Sequence, residues 1–195
     1  MSEPFSCVVP SLDGPVLEVL ARSEKPMTGR QVQRVARRGS AAGVAKVLGR
    51  LVATGLVFRQ DVGTSALYGI NRVHLAWPAV ASLVGLRATL VERLTDAVSR
   101  LEPTPVKAVL FGSVARGDGD ETSEVDLLLV RHDDVEDSWS DTVSDVATDV
   151  FLWTGNHVQW VTVSSARWDQ MVDSDDPLVE SVNRDSISLL NGVSA

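Results

Sequence analysis

The stretch Phe111-Gly-Ser-Val-Ala-Arg-Gly-Asp-Gly-Asp-Glu-Thr-Ser-Glu-Val-Asp-Leu-Leu-Leu-Val130 decides how the chain is read. An apolar run, Val106 to Phe111, ends at Gly112-Ser113, and ten residues later Glu124 and Asp126 open a second apolar run. A strand that ends at a tight glycine turn lets backbone N–H groups approach phosphate oxygens, because no Cβ stands in the way. Ser113 adds a hydroxyl donor, and a helix beginning at the turn would add its positive N-terminal end. On the following strand, a period of two puts Glu124 and Asp126 on one face and Val125 and Leu127 on the other. Two carboxylates on one face can hold Mg²⁺ against phosphates, which is the layout needed for a metal–nucleoside triphosphate.

The pattern of Gly-Ser, ten residues, then acid-x-acid resembles the signature of the DNA polymerase β-like nucleotidyltransferase superfamily. Its Gly-Ser-Val-Ala-Arg-Gly form is similar to the minimal nucleotidyltransferase branch, over roughly residues 105 to 190. The resemblance implies transfer of a nucleoside monophosphate from an NTP to a hydroxyl of a small molecule, a protein or an RNA, with Mg²⁺ as cofactor. Carried onto this sequence, it assigns Ser113, Glu124 and Asp126 to catalysis and Glu124 and Asp126 to the metal. Gly112, Ser113 and Arg116 are assigned to the nucleotide. The pattern departs from the family in two places. Glu124 stands where Asp is usual, and its extra methylene moves the carboxylate outward. The later strand that would carry a third carboxylate matches His157-Val-Gln-Trp-Val-Thr-Val163, which has no acid. Gln159 and Thr162 cannot take a proton at neutral pH. Asp149 and Asp169 are the acids nearest to that strand in sequence.

Charge divides the chain. Net charge is −8, yet residues 1–75 carry ten Lys/Arg against five Asp/Glu, and residues 76–195 carry eight against twenty-one. A basic module joined to an acidic one suggests that only the first meets a polyanion. The single cysteine, Cys7, excludes an internal disulfide framework and fits a reducing cytosol. Met1 to Pro10 lacks the basic start and apolar core of a secretory leader, and no uncharged run is long enough to span a bilayer. A cytoplasmic location with no membrane partner is expected.

In the basic part, Leu17, Val19 and Leu20 mark a short helix ending near Ser23. Thr28 can cap a second helix with Val32 and Val35 on its buried side. Ser40 can cap a third, Ala41 to Ala53, with Val44, Val47, Leu48 and Leu51 at helical spacing and Gly55 beyond its end. Leu56–Gln60 and Ala66–Ile70 read as strands around Gly63-Thr64-Ser65. Helix, helix–turn–helix and hairpin is the order of a winged helix–turn–helix, and Gly39 to Val57 resembles the recognition end of bacterial winged-helix regulators. That resemblance implies duplex DNA contacts from Arg37, Arg38, Ser40, Lys46, Arg50 and Arg59. The alternative is a protein–protein or dimerisation module.

Pro78 suits a helix start, and Leu83, Leu86, Leu90, Leu94 and Val98 then recur at threes and fours. Such a helix packs on the following sheet or pairs with a second copy in a homodimer. Acids at Asp133, Asp134, Glu136, Asp137 and Asp141 crowd a turn and suit a helix N-terminus. A helix is expected over about Trp139 to Trp153, a strand over 157–163, a helix capped by Ser165, and a short one from Pro177. The expected fold class is α/β (α+β): a winged helix–turn–helix over 1–72, a linker helix over 73–104, and a nucleotidyltransferase-fold mixed sheet with flanking helices over 105–195. The expected function is NMP transfer tethered to a DNA-binding module. The alternatives are a catalytically impaired nucleotide-sensing transcription regulator and the antitoxin component of a toxin–antitoxin pair.

Overall fold

A computed structural model of the chain describes residues 8–117, 123–135 and 139–190, without the side chains of residues 139–142. Cys7, Glu136 and Asp137, and the side chains of Trp139 and Asp141, lie outside the described residues. The chain divides into two units between Leu86 and Arg87.

The N-terminal unit runs α1 (Asp13–Arg22), β1 (Met27–Thr28), α2 (Gly29–Ala36), α3 (Ala41–Ala53), β2 (Val57–Val62) and β3 (Ser65–Ile70), with sheet order β1-β3-β2. Local chemistry sets the helix starts. The Thr28 hydroxyl accepts from the Gln31 backbone N–H while the Gln31 side chain accepts from the Thr28 N–H, a reciprocal cap. The Ser40 hydroxyl accepts from the Gly43 N–H and starts α3. Val44, Val47, Leu48 and Leu51 are all buried, as their spacing requires. Val35 is not: it is 51% exposed, and α2 buries Val32 instead. With α2 only two turns long and ended by Arg37 in the left-handed conformation (φ 52°), its last turn leaves the core.

Helix α4 (Trp77–Ser99) places Val80, Leu83 and Val84 in the N-terminal core and Leu90, Leu94, Ala97 and Val98 in the C-terminal one. The C-terminal unit continues with β4 (Lys107–Phe111), α5 (Gly112–Arg116), β5 (Val125–Arg131), α6 (Trp139–Thr154), β6 (Val158–Ser164), α7 (Ser165–Asp173), α8 (Pro177–Asp185) and β7 (Ile187–Ser188). The sheet order is β6-β5-β4-β7, with β5 and β6 parallel and the other pairs antiparallel. The parallel pair needs a crossover, which α6 supplies. One face of the sheet carries Ala108, Leu110, Leu127 and Leu129 into a core with Leu94, Val98, Val146 and Val150. The other carries Val109, Phe111, Leu128 and Val130 toward Trp168, Leu178 and Val182. Covering on both faces is why Leu127 to Val130 reads as an unbroken apolar run. Each fully buried leucine there stabilises the fold by about 1.5–3 kcal/mol.

Two further local expectations are corrected. Ser164, not Ser165, caps α7, its hydroxyl accepting from the Arg167 N–H. β5 begins at Val125, so Glu124 stands just ahead of the strand. The edge strand β7 pairs with β4 and has no counterpart among the expected elements. The Asp133 carboxylate accepts from the Ala166 N–H, so this acid serves the start of α7. Among the described residues, no helix is long and apolar enough to cross a membrane.

Candidate functional site

β4 ends with Phe111 paired to Asp126 on β5, and the chain then turns at Gly112 with φ +71°. A Cβ at Gly112 would stand 3.0 Å from Asp126 Cγ and closer still to its Oδ2. Positive φ and the Asp126 carboxylate together favour glycine here. Ser113 follows in α5, whose end is closed by Gly117 at φ +78°. The Arg87 guanidinium seals that end: its Nε donates to Val114 O at 3.0 Å and its Nη2 to Ala115 O. Arg87 lies in α4, far from the motif in sequence, and nothing in its surroundings there marked it.

Glu124 is exposed and Asp126 half-buried. The parallel register sets Gln159 of β6 directly opposite Asp126. With its amide nitrogen turned to the acids, Gln159 donates to Glu124 Oε2 at 2.9 Å and to Asp126 Oδ1 at 3.3 Å. The two carboxylates therefore share one face and converge on one amide, although Glu124 precedes the strand. Asn156, buried, holds the entry to β5 by donating from Nδ2 to Ser123 O at 2.8 Å. The Val125 N–H adds a bond to His157 O.

Burial pushes the Asp126 carboxyl above its ordinary range; the neighbouring Glu124 charge adds to this and Arg116 opposes it. Arg116 is steered by Asp185 of α8, with Nη1 3.6 Å from Oδ2, an oxygen that also accepts from Arg184 Nε at 2.8 Å. Glycine turn, hydroxyl, two acids and an arginine thus gather at the C-terminal end of β4 and the entry to β5. Among the described residues, no group of three or more His, Cys, Asp or Glu side chains is placed to hold a metal. Asp149 and Asp169 are exposed on α6 and α7. Asp118, Asp120 and Glu121 lie outside the described residues. An oxygen-only pair of carboxylates suits a hard divalent cation such as Mg²⁺, so the residues present fit that group.

The six residues expected to touch DNA are all exposed in the N-terminal unit, and several of them also have partners within it. Ser40 caps α3, Arg50 pairs with Asp13, and Arg59 holds Asp61 through Nη2 at 2.7 Å and Nε at 3.0 Å. Asp61 keeps the Arg59 guanidinium charged above its already high range.

Residues 91–167 match the family described as "Nucleotidyltransferase domain". That segment contains Gly112, Ser113, Arg116, Glu124, Asp126 and Gln159. No curated protein matches the chain. Among solved structures, a candidate nucleotidyltransferase from Sulfolobus solfataricus is similar at 17% identity and a TM-score of 0.31, over 54% of this chain and 83% of that one. Human N-acetylserotonin methyltransferase in complex with SAM is similar at 22% identity and a TM-score of 0.30, over 51% of this chain and 30% of that one.

Proposed function

We propose that the C-terminal unit binds a nucleoside triphosphate with a divalent cation and transfers its nucleoside monophosphate to a hydroxyl. The observation that carries this reading is the convergence of Glu124 and Asp126 beside the Gly112 turn, within a segment that matches nucleotidyltransferase domains. Glu124 and Asp126 would hold the cation, which when bound supplies charge neutralisation at the phosphates. Gly112 lets the Asp126 carboxylate lie against the turn, and the Ser113 hydroxyl donates to a phosphate oxygen. Arg116 balances negative charge that develops on the phosphates. The acceptor oxygen forms a bond to the α-phosphorus, the α–β bridging bond breaks, and pyrophosphate leaves. Gln159 cannot accept the hydroxyl proton, and among the described residues no third carboxylate joins the acid pair, so the proton passes to solvent. General-base help is typically worth ~10²–10⁴-fold in rate, and transfer is correspondingly slow.

The same amide favours a second reading. A site that binds nucleotide and cation but shows no base among the described residues serves equally as a sensor, in a regulator or an antitoxin component. In either reading the N-terminal unit is a winged helix–turn–helix for duplex DNA. Its element order, its three-stranded sheet and the exposed Arg37, Arg38 and Lys46 support that assignment. Replacing both Glu124 and Asp126 by Ala, in the full chain, abolishes Mg²⁺-dependent NTP binding in isothermal titration and leaves the circular dichroism unchanged. Undiminished nucleotide affinity in that variant refutes the site.

A further inference from the structure

Gln159 faces two carboxylates with a side chain that has two chemically distinct ends. In one orientation its amide nitrogen bridges Glu124 Oε2 and Asp126 Oδ1 at 2.9 and 3.3 Å. A half-turn about the last side-chain bond exchanges the ends and sets Oε1 against the same carboxylate oxygens. Three oxygens facing one another with no hydrogen between them repel, so with both acids ionised the second orientation needs a cation among them. Without a cation, the NH₂ group supplies the positive edge that keeps two like charges together. With one, the amide oxygen is a neutral third ligand of the kind that hard divalent cations accept from Gln side chains. Either way β6 holds the Gln159 backbone opposite Asp126, so the exchange needs no movement of the sheet.

We propose that Gln159 is an amide switch: its NH₂ clamps Glu124 and Asp126 together in the cation-free protein, and its Oε1 becomes the third ligand when a divalent cation binds. The inference rests on the two acids being a cation site. It assigns Gln159 a role as ligand rather than base, and gives a site of two negative charges for a doubly charged ion.

The test uses the full chain without nucleotide, with Mn²⁺ as the probe and electron paramagnetic resonance to count the free ion. Gln159→Leu weakens Mn²⁺ binding about 10–100-fold, the range seen when groups supporting a metal are removed. Gln159→Glu, which restores an oxygen ligand, binds at least as tightly as wild type. In ¹⁵N-labelled protein, Mg²⁺ moves the Gln159 side-chain amide resonance, identified by its absence from the Leu variant. Mn²⁺ affinity unchanged in Gln159→Leu overturns the switch while leaving the two-acid site standing. Weakened binding with an unmoved amide resonance assigns Gln159 to positioning alone and also overturns it. Absence of Mn²⁺ binding in wild type removes the acid site itself, and the switch with it.

Discussion

Gly112→Ala tests whether the glycine turn and the acid pair form one constructed unit. Two penalties act at Gly112. Its φ of +71° costs a residue with a Cβ about 1–2 kcal/mol. The new methyl also stands 3.0 Å from Asp126 Cγ, tighter than ordinary contact, so Asp126 or the turn must move. Overpacking of this kind typically costs a further ~1–3 kcal/mol. Gly155 provides the control, because its φ of +72° is nearly the same but nothing lies within 4 Å of an added Cβ. Gly155→Ala therefore loses only about 1–2 kcal/mol, and Gly112→Ala about 2–5 kcal/mol. Urea unfolding followed by tryptophan fluorescence measures both, since four of the five tryptophans lie beyond Leu86. Titration with Mn²⁺ on the folded variants shows the functional consequence: binding is lost in Gly112→Ala and kept in Gly155→Ala. Equal stability losses in the two variants, or intact cation binding in Gly112→Ala, refute the claim that Asp126 is seated against this glycine.

Asp126→Asn makes the cation-free protein more stable at neutral pH, because burial and Glu124 oppose ionisation of the native carboxylate. A carboxyl whose pKa is raised by folding favours the folded state most when protonated, and that contribution is lost as pH rises through the folded value. The advantage of the Asn variant accordingly shrinks as pH falls and vanishes only well below the unfolded value of ~3.9, where wild-type Asp126 is protonated in both states; a gain independent of pH would contradict the assignment. For the N-terminal unit, replacing Arg37, Arg38 and Lys46 by Ala weakens binding to duplexes of every sequence and flattens the salt dependence by about three contacts' worth. Absence of any DNA binding by the wild-type chain at low salt makes that unit an interaction module instead.

The parts legible in the sequence are those set by neighbours along the chain. Gly112-Ser113 and Glu124-x-Asp126 could be read because a turn and a two-residue alternation are local properties. Helix α3 could be read because Ser40 caps it and Val44, Val47, Leu48 and Leu51 repeat along one stripe. Val35 shows the limit of the same reasoning. The periodicity of α2 points it inward, but the turn at Arg37 leaves it at the surface, 51% exposed. Arg50 shows it again, since its partner Asp13 comes from α1 and is chosen by packing, not by spacing.

The sequence by itself therefore determined the glycine turn, the two acids, the absence of an acid on the β6 segment, and the helices and strands that carry them. The tertiary structure decided which residue meets the acid pair. Whether Gln159 or Val161 lies there depends on the register of β6 against β5, two strands joined through α6, and a shift of one residue would have turned Gln159 to the opposite face. Arg87 at the end of α5, Asn156 at the entry to β5 and the edge strand β7 have the same origin. Each is a hydrogen-bonded pairing between segments distant in the chain, and only the packing of both sheet faces brings those segments together.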